Sequence, residues 1–115
     1  MPRTPSIFKT IKEEVLGSDY ELSVVFVTPS EIKKLNKIYR GIDKATDILS
    51  FPLGKNEGEV YICKNEARKE APKFGLTYDS FIKFLLIHGC VHLKGHDNGA
   101  TMERIEAKLR RKLKI

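Results

Sequence analysis

Apolar residues recur at helical spacing over Ile7, Phe8, Ile11, Val15 and Leu16, which predicts a first helix from Pro5 or Ser6 to Leu16, with Gly17 as its stop. ELSVVFVT (21–28) is short and rich in β-branched residues, so it reads as a strand. TPSE then starts a helix, with Thr28 as N-cap, Pro29 at the first position and Glu31 three residues after the cap. That helix carries Ile32, Leu35, Ile38 and Tyr39 and is expected to end near Arg40 and Gly41. TDILSFPL (46–53) and GEVYIC (58–63) read as two further strands, and the turn-like GKNE between them predicts a hairpin with Pro52 at an end or an edge.

A helix over Lys64–Ala71 should stop at Pro72. From Thr77 the chain reads YDSFIKFLLIHGCVHLK, with apolar residues on nearly every side, so this long helix should be central to the fold. The last helix, roughly 100–114, keeps Met102, Ile105, Leu109 and Leu113 on one side and is strongly basic elsewhere. There is no internal repeat, low-complexity tract or linker-like segment.

At 115 residues the chain fits one domain, 1–115, with room for a single core and one site. No apolar run approaches the roughly 20 residues that span a bilayer, and the N-terminus lacks the continuous apolar core of a signal peptide. A cytoplasmic protein is expected. Cys63 and Cys90 are then read as reduced, and Cys90, on the helix face opposite the flanking histidines, as a small core residue. The net charge of +6 favours a polyanionic partner, because neutralising phosphates releases condensed counterions. Charge alone does not single out nucleic acid.

The segment HGCVHLKGHDNG (88–99) carries the candidate chemistry. His88 and His92 stand four apart on a helix, about 6 Å along the axis, so two imidazoles can converge on one metal ion. The bland alternative is a pair of half-buried histidines bonded to backbone carbonyls. His96 continues the series, but on a straight helix it would lie about 12 Å from His88. If Gly95 is left-handed, the helix ends there and the chain turns back. In the zinc-peptidase pattern H-x-x-x-H-x-x-G-x-x-H, the residue three beyond that glycine is a ligand. Here it is Asn98, whose amide oxygen suits zinc less well than imidazole and which can equally be the N-cap of the last helix. The third ligand is therefore Asn98, with His96 the alternative; Asp97 or water can also fill the position. A peptidase is disfavoured, because Gly89 stands where its general-base Glu would be.

HGCVHLKGHDN resembles the motif H-G-x-L-H-L-x-G-Y-D-H of the YbeY-type endoribonucleases of bacterial ribosomal RNA maturation. LNKIYRGIDKATDILSFP (35–52) is similar to that family's L-N-x-x-Y-R-x-x-D-x-P-T-D-V-L-S-F-P segment, and GEVYIC to its G-D-I-V-I-C strand. Ala45 replaces a proline, His96 the aromatic and Asn98 the third histidine, and the N-terminal part is short enough that a first strand is expected to be missing.

The resemblance implies an α+β fold, with a small mixed sheet packed by helices around a central histidine-bearing helix. It implies one Zn²⁺, or another divalent metal, held by three histidines, with His88 and His92 as two of the ligands here. It also implies single-strand endoribonuclease activity in small-subunit ribosomal RNA 3′-end maturation and ribosome quality control. Arg40 becomes the catalytic and RNA-binding cation. Ribosomal RNA and the small subunit or its assembly factors are the implied partners, with no membrane and no DNA.

The planar guanidinium of Arg40 suits phosphate, although it could instead complement the helix dipole or pair with Asp43 or Asp47. Ser50 and Thr46 are candidates for the same cleft. Tyr39 is expected to pack in the core rather than stack on a base. The rival reading is a ribosome-assembly or RNA-binding protein whose metal site is only structural.

Overall fold

A computed structural model describes residues 6–95 and 99–115. Its elements are α1 (Ser6–Leu16), β1 (Glu21–Val27), α2 (Pro29–Arg40), β2 (Ile48–Gly54), β3 (Glu57–Cys63), α3 (Lys64–Glu70), a 3-10 turn (Ala71–Phe74), α4 (Tyr78–Leu93) and α5 (Ala100–Leu113). Pro5, the alternative first residue of α1, lies outside the described residues, as do His96, Asp97 and Asn98.

The three strands form one mixed sheet in the order β1-β3-β2. β1 runs parallel to β3, with Val24 opposite Val60, and β2 runs antiparallel to it, with Ser50 opposite Val60. The predicted hairpin is present, but its strands reach further into the turn than expected: Gly54 pairs with Glu57, past an irregularity between Pro52 and Gly54. β2 begins at Ile48 rather than Thr46. Pro52, which has no N–H to give to a ladder, sits in this edge strand as its chemistry requires.

Alternation along the strands sends successive side chains to opposite faces of the sheet. On one face Val60 and Ile62 of β3 join Phe8, Ile11 and Val15 of α1 and the buried residues of α4 in the main core. On the other, Leu49 and Cys63 pack with Ile32 of α2, flanked by Leu35, Phe51 and Tyr61. The sheet therefore lies between α2 and the α1–α4 layer. Phe81, Leu85, Leu86, Ile87, Cys90 and Val91 are all buried, so α4 is the central helix that its sequence predicts. Met102 fixes α5 against this core.

Candidate active site

Two struts set the approach to β2. The buried Asn36 of α2 donates its side-chain amide to the Lys44 carbonyl at 2.9 Å, and the Cys63 N–H donates to the Asp47 carbonyl at 2.9 Å. The first holds the end of α2 to the loop that leads into β2. Arg40 is the last residue of that helix.

Arg40, Ile48, Ser50, His88 and His92 line one cleft of about 100 Å³. That is room for roughly three liquid waters, and so for a phosphate-sized group. The two imidazoles come from α4, the guanidinium from α2 and the hydroxyl from β2, and both histidines are half-buried. Thr46 precedes β2 and is not among the described lining residues. Among the described residues Arg40 forms no ion pair with Asp43 or Asp47. Asp43 stands 4.0 Å from Lys33, and Asp47 lines a second, larger cleft of about 430 Å³ together with His88, Phe84 and Glu106. Burial raises the Asp47 carboxyl from its ordinary value.

α4 lies close enough to the sheet to bring its histidines to β2 because Gly89 has no side chain. A Cβ there would meet Ser50 Oγ at 3.0 Å, Ile48 Cδ1 at 3.1 Å and Val60 Cγ2 at 3.2 Å. The position that disfavours a peptidase thus has a positive packing role. Downstream, α4 ends at Leu93 and Gly95 takes φ +106°, a positive-φ conformation of the kind that glycine makes available for leaving the helix.

Behind His88, Nδ1 is hydrogen-bonded to Oε1 of Glu106 from α5. Glu106 is 7% exposed, a carboxylate buried on the apolar side of its helix beside Met102 and Ile105. The sequence carries its signal: Glu106 falls four residues after Met102, on the same stripe, where a charge needs a partner. With Nδ1 engaged by the carboxylate, Nε2 is the ring nitrogen left for a ligand, an arrangement common behind metal-bound imidazoles.

Among the described residues no group of three or more His, Cys, Asp or Glu is placed to hold a metal ion. The pair His88 and His92, sharing one cleft, nonetheless has the donor chemistry of a partial divalent-metal site. Asn98 and His96, the two candidates for a third donor, lie outside the described residues. Cys63 and Cys90 are free and buried, and burial pushes the Cys90 thiol up to about 12.

Fold and cleft together define an α+β protein with a polar pocket of cationic and imidazole groups at the edge of a mixed sheet, suited to an anionic group. The sequence profile of the family described as Endoribonuclease YbeY matches residues 4–114. Relatives named Endoribonuclease YbeY include the Caldanaerobacter subterraneus subsp. tengcongensis protein, 35% identical over 86% of this chain and 74% of its own length. The Staphylococcus carnosus protein of that name is 36% identical over 89% of this chain and 74% of its own length. The solution structure of a Thermotoga maritima protein is 29% identical and superposes with a TM-score of 0.68, over 98% of this chain and 85% of that one. The chain belongs to the YbeY endoribonuclease family.

Proposed function

We propose that the protein is an endoribonuclease that cuts single-stranded RNA in small-subunit ribosomal RNA 3′-end maturation and ribosome quality control. Ribosomal RNA is its substrate, and the small subunit or its assembly factors are its partners in the cytoplasm. Family membership supports RNA hydrolysis. The observation that carries the assignment of residues is the convergence of Arg40, Ser50, His88 and His92 on one cleft from three separate elements.

In this reading Arg40 grips the scissile phosphate through its planar fork and stabilises the charge that develops on it. The Ser50 hydroxyl, on the cleft wall, is available to donate to a phosphate oxygen. Ile48 closes the apolar side of the cleft and limits water there. His88 and His92 would hold a divalent cation, Zn²⁺ or a metal of similar preference such as nickel or copper. When bound, that ion supplies a Lewis acid for a phosphoryl oxygen or lowers the pKa of a water. Glu106 keeps the His88 ring oriented for the task.

The test is cleavage of a single-stranded ribosomal RNA fragment by parent and Arg40→Ala proteins of matched circular dichroism. The variant should lose about 10²–10³-fold in rate, the usual effect of removing one donor to a developing oxyanion. Unchanged cleavage in a contaminant-free preparation would falsify the role of Arg40. A parent that binds RNA without ever cutting it would assign the protein to RNA binding instead. Elemental analysis of the parent, Asn98→His and His96→Ala proteins addresses the third donor: full occupancy in His96→Ala excludes His96.

A further inference from the structure

Tyr39 sits where a core residue belongs and is not buried. It extends the stripe of Ile32, Leu35 and Asn36 on α2, yet it is 65% exposed, while Ile32 is fully buried. Its ring meets Phe51 at 5.2 Å between centroids, and Phe51 meets Tyr61 at 5.8 Å. Phe51 and Tyr61 are half-buried on the α2 face of the sheet, so Tyr39 is an outer aromatic backed by two inner ones. A supported ring with a free face is a stacking surface whose orientation is already fixed.

Position gives that surface a ligand. Tyr39 and Arg40 are consecutive, as are Ser50 and Phe51, and each pair divides across the edge strand β2. Arg40 and Ser50 line the cleft with the histidines, whereas Tyr39 and Phe51 contact each other on the other side. α2 also exposes Lys33, Lys34, Lys37 and Arg40 against its own carboxylate Glu31, with Asp43 4.0 Å from Lys33 and Glu59 engaged by the Tyr61 hydroxyl at 3.1 Å, so cations still outnumber carboxylates around the ring and favour a polyanion. An RNA strand crossing the β2 edge with its phosphate at Arg40 brings a neighbouring nucleobase to the Tyr39 ring.

We propose that Tyr39, braced by Phe51, is a base-stacking subsite for an unpaired nucleotide next to the phosphate held by Arg40. It rests on the nuclease reading and deepens it: stacking requires an unpaired base, so this ring contributes the preference for single strands.

Binding is measured by fluorescence anisotropy on a single-stranded RNA oligonucleotide and on its duplex, with divalent metal chelated so that no cleavage intervenes. Tyr39→Ala should weaken single-strand binding by about tenfold or more, as losing a base–aromatic stack does, and leave duplex binding unchanged. Tyr39→Phe should bind like the parent, because the ring and not the hydroxyl stacks. The chain contains no tryptophan, so Tyr39→Trp places a lone reporter at the site. Its emission should be quenched by single-stranded RNA and not by an RNA with an abasic site at the contacting position.

Equal single-strand affinity for parent and Tyr39→Ala overturns the proposal, and so does an equal loss for strand and duplex. Unchanged RNA affinity combined with altered self-association in sedimentation assigns the ring to a protein interface. If the parent itself neither binds nor cuts RNA, the nuclease reading falls and takes the subsite with it; if the parent does both and the alanine variant matches it, only the subsite falls.

Discussion

The imidazole of His88 is hydrogen-bonded at Nδ1 to Oε1 of Glu106, a carboxylate carried on a different helix and almost wholly withdrawn from solvent. This contact fixes which ring nitrogen faces the cleft. If His88 ligates zinc as proposed, Glu106→Ala should weaken that binding by about 10–100-fold in a chelator competition, the usual effect of removing an outer partner of a metal-bound histidine. Glu106→Gln keeps an acceptor and should fall between the two. Nitrogen NMR of the histidine rings supplies a metal-free reading. The parent should hold its Nδ1 proton, and Glu106→Ala should show a mixture of tautomers. An unaltered tautomer in a folded alanine variant would remove Glu106 from the site.

Gly89→Ala tests how closely α4 must approach the sheet. The added methyl meets three atoms at 3.0–3.2 Å, one of them on the Ser50 side chain that lines the cleft. Overpacking of this kind costs about 1–3 kcal/mol, and the better helix propensity of alanine returns at most about 1 kcal/mol. A net loss in denaturant titrations is expected, together with a fall in cleavage rate larger than that loss explains, because the histidines move away from Arg40. A variant of equal stability and rate would show that the sheet yields freely here.

The N-terminus of α2 predicts a specific pH dependence. Thr28 N–H donates to the Glu31 carboxylate at 2.9 Å and Glu31 N–H donates to the Thr28 hydroxyl at 3.2 Å, a reciprocal cap. The backbone bond from Thr28 first, and then its side chain, hold the Glu31 carboxyl below its ordinary 4.5. A lowered folded value means that the cap's contribution is complete above the ordinary value and is lost as pH falls through the lowered one. Glu31→Gln should therefore flatten the acid limb of the stability profile. Thr28→Ala should cost about 1 kcal/mol at neutral pH. An unchanged acid limb in Glu31→Gln would show that the cap carries no pH-dependent stability.

The two thiols should be inert in the folded protein. Cys63 and Cys90 are both buried, and the neutral form of Cys90 is favoured by its apolar surroundings. Only the thiolate attacks, so a disulfide reagent at neutral pH should titrate neither residue natively and both in denaturant. Rapid native labelling would contradict the packing of Cys90 within α4.

Most of the fold is legible in the sequence because its helices carry one-sided stripes and its strands are short and β-branched. The capping of α2, the centrality of α4 and the hairpin all follow from local pattern. The half-buried pair His88 and His92 was equally readable from spacing alone. Tyr39 is not, since its place on the apolar stripe predicts burial, whereas its ring lies 65% exposed against Phe51 of the edge strand. Glu106 escapes local pattern although a carboxylate amid Met102, Ile105 and Leu109 calls for a partner; that partner, His88, is 18 residues away in sequence, beyond the reach of periodicity. The start of β2 at Ile48 rather than Thr46 depends on where pairing with β3 ends, which is tertiary information.

The placement of Glu106 on α5 ties the His88 ring to the seating of that helix. Glu106 and Met102 are the buried residues of α5, so a loosening of the helix withdraws core packing and carboxylate together. With α5 displaced, the carboxylate behind His88 is absent and that ring is unanchored. Local fraying of one amphipathic segment therefore reaches the cleft through a single side chain, while the sheet and the central helix stay in place.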